Sequence, residues 1–169
     1  MPLLGKTMNK NTKKYKNKDG ISGVYSITNM KSDIVYVGES FNIEERWMSH
    51  IDELKKGKHH NKRLQTDWNI YGKENFKFEI LEKLELEFIC DGLPYEYKKC
   101  VLLIKEAEYI DKYDSYNNGY NAEYTVDEIL VGNKDKELLN CLVNCIHIYK
   151  NNDNRIPDSI CAYLQNNTD

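Results

Sequence analysis

No apolar run in this chain approaches the roughly 20 residues that a bilayer crossing needs. No apolar segment follows the lysines near its start, as one would in a secretory signal. Both absences lead to the expectation of a cytoplasmic protein with no membrane partner. The five cysteines, Cys90, Cys100, Cys141, Cys145 and Cys161, are odd in number and contain no CxxC pair, so neither a disulfide framework nor a zinc ribbon is signalled. Reduced thiols are expected. Cys141 and Cys145 stand one helical turn apart, but they lie among Leu138, Leu142 and Ile146 and read better as small buried hydrophobes than as metal ligands. Internal repeats and low-complexity segments are also missing. What is present is 169 residues, 40% hydrophobic and 30% charged. That is enough for one main domain with a core, and too apolar for a disordered chain.

The net charge of −3 hides an uneven distribution. Residues 1–19 hold six lysines against Asp19, and residues 125–169 hold seven acids against four bases. Between them, KKGKHHNKR from Lys55 to Arg63 carries five bases and two histidines with no acid. A basic run is most often a solvated face, but two of them near one candidate site make an anionic polymer a reasonable partner.

The pattern along the chain predicts a small α+β domain. Residues 1–20 lack periodicity and read as a basic flexible tail. GVYSIT alternates between faces, and DIVYVGE repeats that β-prone composition after Asn29-Met30-Lys31-Ser32, which predicts a β-hairpin. Asn42 is a helix N-cap candidate with Glu44 and Glu45 in the first turn, and Ile43, Trp47, Ile51 and Leu54 recur at helical spacing until Gly57. A helix over 42–56 follows. A second is expected over 61–71, with Leu64, Trp68 and Tyr71 on one face and Gly72 as its stop. FKFEILEKL alternates as a third strand with Phe76, Phe78 and Ile80 on one side. After Asp91-Gly92-Leu93-Pro94, residues 95–113 place Val101, Ile104, Glu108 and Asp111 as an amphipathic helix would. Beyond Tyr124 the chain reads as a helical extension over 125–169, broken near Gly132 and resuming at Pro157, serving as a packing cap or a homodimer surface. It shows no zinc-finger spacing and no helix-turn-helix charge pattern.

One run holds two Gly/Tyr triplets, Gly23-Val24-Tyr25 and Tyr36-Val37-Gly38, then Arg46 and His50 four residues apart. This pattern resembles the GIY-YIG nuclease family, with valine in place of isoleucine in each triplet. The resemblance continues in family order through His59, Glu106 and Asn121 of NNGYN, and covers residues 21–122. The Arg-Trp-x-x-His run, the KGxH ending and the closing GYN are similar to the phage homing endonucleases of the family. It implies a three-stranded antiparallel sheet flanked by helices, a domain over 21–124, and metal-dependent cleavage of DNA phosphodiester bonds.

Each residue type suits part of that chemistry, which needs a deprotonated water, positive charge against the phosphoryl oxygens and usually a divalent cation. Tyr25 and Tyr36 lie on adjacent hairpin strands. A tyrosine of ordinary pKa about 10 takes a proton from water only with help, and His50 is the nearest candidate helper. Arg46 shares a helix face with His50, and its planar guanidinium matches a phosphate. The resemblance singles out Glu106 as ligand to Mg²⁺ or Mn²⁺, lying four residues before Ile110, and implies a supporting hydrogen bond from Asn121. Lys55, Lys56, Lys58, His60, Lys62 and Arg63 are the DNA-binding candidates. Gly23 and Gly38 are the structural part of the motif.

Taken singly, each residue has a plainer role as a strand tyrosine, a surface arginine, a partly buried histidine, a solvated glutamate or a turn asparagine. Their joint order and spacing favour the site. A non-catalytic DNA-binding or inhibitor protein that retains the fold is the alternative from another class. Restriction or repair cleavage is the alternative to homing.

Overall fold

The computed structural model describes residues 20–86 and 95–122. The expected basic tail, the 91–94 turn, the boundary at Tyr124 and the whole 125–169 extension with its cysteines and dimer surface lie outside the described residues.

The chain forms β1 (Gly23–Asn29), β2 (Ile34–Ser40), α1 (Ile43–Lys55), α2 (Lys62–Tyr71), β3 (Phe76–Lys83) and α3 (Tyr95–Tyr113). The strands make one antiparallel sheet in the order β2-β1-β3. This is the α+β architecture that the pattern predicts. β1 is central, so both of its faces are covered and nearly every residue in it is buried.

Alternation along β1 divides the core. Tyr25 and Ile27 face α1 and α2, joined there by Ile43, Leu54, Leu64, Trp68 and Phe76. Val24 faces the opposite way, with Val37 and Ile110, toward α3. Phe78 and Ile80 pack with the first group, as expected from the β3 pattern. Burying a side chain such as Leu64 or Trp68 stabilises the fold by about 1.5–3 kcal/mol.

Register explains both glycines of the motif. Tyr25 pairs with Gly38, and a Cβ on Gly38 would stand 2.5 Å from the Tyr25 hydroxyl. The second triplet therefore ends in glycine because the first triplet's tyrosine lies over it. Gly23 adopts φ of 152°, and a Cβ there would meet the Glu82 carbonyl oxygen of β3 at 2.0 Å. It sits beside the irregularity between Val24 and Tyr25 in the β1–β3 pairing.

Local capping sets the helix ends. Asn42 accepts from the Glu45 amide to start α1, and Gly57 at φ of 67° follows its last turn. Asn61 does the same for α2 through the Leu64 amide, and Gly72 at φ of 78° closes it. Burial adds detail that spacing does not give. His50, not Ile51, completes the buried stripe of α1 with Ile43 and Leu54. Gln65 is buried beside Leu64 and Trp68 in α2, whereas the terminal Tyr71 is 37% exposed. In α3 the buried face runs through Cys100, Leu103, Ile104, Ala107 and Ile110, so the expected Ile104 is buried while Val101, Glu108 and Asp111 are half-buried.

Candidate active site

β1 and β2 present Tyr25 and Tyr36 on the face covered by α1, their ring centroids 6.4 Å apart. One turn of α1 places Trp47 edge-on to Tyr25, and the next turn brings His50 against both tyrosine rings. Tyr25 Oη lies 2.7 Å from His50 Nε2. The Arg46 guanidinium lies close to both phenols, and its positive charge favours their ionised forms. Tyr25, Tyr36, Arg46 and Glu106 therefore line one open cavity of about 610 Å³.

Burial dominates the electrostatics. It raises the Tyr25 phenol well above its ordinary value, Tyr36 and Glu106 add to the rise, and Arg46 opposes it. Tyr36 is also pushed up by burial, then by Glu106, again against Arg46. Burial works against the charge of Arg46 itself, but the two phenols outweigh it and its pKa rises. His50 is pushed down to about 2 by burial, then by Arg46 and the neighbouring histidines. His59 is held down to about 4 by burial, then by His60. Both imidazoles are neutral near pH 7.

His59 comes from the loop between α1 and α2, yet it is as fully buried as His50. Gln65 holds it there: its Oε1 accepts from the His59 amide at 3.0 Å, and its Nε2 donates to Leu54 O at the end of α1. His59 Nε2 then stands 2.6 Å from His50 Nδ1, while its Nδ1 accepts from the Asn61 amide at 3.1 Å.

Asn121 lies against β2 as an extra strand residue would. It accepts from the Val37 amide and donates to the Val37 carbonyl, both at 2.9 Å. The hydrogen bonding expected of it is thus directed to the backbone between Tyr36 and Gly38.

Glu106 is 4% exposed, so the plain reading of a solvated helix face does not hold. A second carboxylate, Glu39 of β2, lines the same cavity. One oxygen of Glu39 pairs with Lys99 of α3, and Oε2 is buried without a hydrogen-bond partner. A buried glutamate and an orphaned carboxylate oxygen in one cavity lining suit a hard divalent cation, which prefers oxygen ligands. Glu53, His59 and His60 also cluster, with ligand atoms within 4.8 Å of one another. There, however, both His59 nitrogens are already engaged. The donor set at Glu106 fits a cation better.

The basic run splits. A second groove of about 810 Å³ shares Tyr36 and Arg46 with the first cavity and is bordered by His60, Lys62, Arg63 and Tyr116. Arg63 also donates to Gly119 O at 2.6 Å, and Lys62 reaches His59 O at 3.4 Å. Lys55, Lys56 and Lys58 are exposed outside that groove, with Lys56 paired to Asp52 at 2.6 Å. Sequence reasoning missed Glu39, Lys99 and Gln65. Only Glu39 carried a signal, as the residue directly after the second triplet; the partnerships of the others depend on the packing of distant segments.

A family model described as the GIY-YIG catalytic domain matches residues 21–121. Intron-associated endonuclease 1 of Enterobacteria phage T4 is 36% identical over 100 residues, which are 59% of this chain and 36% of that protein. The chain thus spans about a third of the length of this curated relative. Two solved structures are similar. A mutant catalytic domain of intron endonuclease I-TevI aligns with TM-score 0.53 at 31% identity, over 62% of this chain and 96% of that one. The catalytic domain of homing endonuclease I-TevI aligns with TM-score 0.51 at 34% identity, over 60% and 98%.

Proposed function

Because the chain belongs to the GIY-YIG catalytic-domain family, we propose that it is a divalent-metal-dependent endonuclease that hydrolyses DNA phosphodiester bonds in a homing-like, phage or mobile-element setting. The observation that carries this reading is the convergence of Arg46 on both phenols within the cavity that Glu106 lines. A phosphate entering there meets a charged planar donor, two phenolic oxygens and a buried carboxylate together.

In this reading the Tyr25 hydroxyl relays the proton: its oxygen accepts one from the attacking water while its own proton passes to solvent in the cavity, so the buried phenol does not rest as an anion. The resulting hydroxide attacks phosphorus, the bond to the leaving sugar oxygen breaks, and that oxygen takes up a proton from water in the cavity, so the proton released by the attacking water is balanced. Arg46 balances the negative charge that grows on the phosphoryl oxygens. Glu106, with Glu39 in the same cavity lining, would hold Mg²⁺ or Mn²⁺, and such a cation supplies positive charge against the phosphate and makes a bound water more acidic. Asn121 keeps the strand that carries Tyr36 in place. His60, Lys62 and Arg63 attract the flanking strand through the adjoining groove. A phage relative named as an intron-associated endonuclease supports the setting, and the host cytoplasm is then the place of action.

The test is nicking of supercoiled plasmid DNA. Cleavage should require Mg²⁺ or Mn²⁺, stop in EDTA and vanish in Glu106→Ala with fold and DNA binding retained. Absence of metal-dependent cleavage by the unaltered protein would instead support a non-catalytic DNA-binding role, and undiminished cleavage by Glu106→Ala would remove that residue from the site.

A further inference from the structure

The two histidines beneath Tyr25 are linked in a definite direction. A backbone N–H can only donate. The Asn61 amide meets His59 Nδ1 at 3.1 Å, so that nitrogen accepts and carries no proton. His59 is fully buried and neutral, so its single ring proton sits on Nε2. That proton points at His50 Nδ1, 2.6 Å away, which must therefore accept. His50 is likewise buried and neutral, so its own proton sits on Nε2, 2.7 Å from Tyr25 Oη. We infer that the Asn61 amide, His59 and His50 form a one-way hydrogen-bond relay that delivers an N–H donor to the Tyr25 oxygen. His59 is then a positioning residue, and His50 has the opposite role from the base expected of it.

The reverse direction is costly. It would set a His59 Nδ1–H against the Asn61 N–H, two donors facing each other in a buried site, with the loss of a hydrogen bond as well. At the other end, a neutral phenol oxygen has two acceptor sites and one proton. His50 supplies a donor to one acceptor site and the Arg46 charge lies close by, which leaves the phenol's own proton to point toward the cavity. As its own proton leaves, the same oxygen keeps the His50 donor and gains an acceptor site for a proton from water. This consequence rests on the nuclease reading above; the direction of the relay does not.

The direction is measurable by long-range proton–nitrogen NMR on the full chain labelled at its four histidines. At neutral pH, His50 and His59 should each show a protonated Nε2 and a bare Nδ1. A proton on Nδ1 of either ring overturns the relay. Asn61 has φ of −77°, within the range of proline, so Asn61→Pro deletes the amide proton with little backbone change. Asn61→Ala loses the same side-chain cap but keeps the amide. The proline variant should lose the single tautomer at His59 and the alanine variant should keep it; indistinguishable spectra would refute the amide's role.

Cleavage provides the second measurement. His50→Gln can still present a donor near the position of Nε2 and should stay within about tenfold of the parent. His50→Glu presents an acceptor and should lose about a hundredfold or more. A glutamate variant more active than the glutamine variant would make His50 a base and contradict the relay. The tautomers are read without substrate, so a protein that cuts no DNA still tests the relay, and the two readings fail separately.

Discussion

The floor and the rim of the site use the same residue types differently. On the floor, His50 and His59 are fully buried and every ring nitrogen has a partner. On the rim, His60 is exposed and meets Glu53 at 3.6 Å, while Lys55 and Lys58 stand in solvent. Burial makes the difference. A hydrogen bond in the dry floor has a fixed direction and an expensive alternative, so it can position a reacting oxygen. Charge on the rim is screened by salt and acts over distance, so it can attract a polyanion without specifying geometry.

The contrast is broken most severely at Arg46, which lines both cavities. Arg46→Lys keeps the charge and removes the fork. Single-turnover cleavage should fall about ten- to a thousandfold, while DNA affinity changes little. An unchanged rate would reduce Arg46 to a rim residue.

A smaller effect follows from the buried histidines. An unfolded histidine has a pKa of about 6.5, whereas His59 is held at about 4 and His50 at about 2. The unfolded chain therefore binds more protons below pH 6.5, and the stability that comes from keeping these rings neutral is lost as pH falls. The denaturation midpoint should decline between pH 7 and pH 5, before most carboxylates titrate. Replacing His50 and His59 together by glutamine should flatten that decline, and a midpoint that does not change with pH would contradict their burial.

The smallest effect belongs to the rim. Each lysine that touches duplex phosphate adds about 0.9 to the log–log salt slope. Replacing Lys55 and Lys58 by glutamine should lower the slope by up to about two units and leave the saturated cleavage rate unchanged. A fall in that rate would place these lysines closer to the chemistry than their exposure indicates.

The hairpin and the helix ends were legible because their causes are local: Asn42 and Asn61 cap helices that Gly57 and Gly72 follow or close. Helical phase was less legible. A stripe drawn through Ile51 and one drawn through His50 differ by one residue, and only packing against Tyr25 and Tyr36 favours the histidine. In the same way, Tyr71 shares a helix face with Leu64 and Trp68 by spacing, but it is the last residue of its helix and is left partly exposed. Glu106 was singled out by resemblance, since spacing alone does not distinguish it from Glu108. The Gln65 contacts that hold His59, and the pairing of Glu39 with Lys99, join segments that sequence patterns treat separately.

Tyr25→Phe tests the account most directly, because it deletes one oxygen where the His50 donor, Arg46 and the cavity meet. The ring and its packing against Trp47 stay. With DNA saturated by enzyme in Mg²⁺, the single-turnover cleavage rate should fall by about a hundredfold or more, with the melting transition and DNA affinity near those of the parent. A variant that cuts at the parental rate would show that Tyr25 is a packing residue and that the water loses its proton elsewhere.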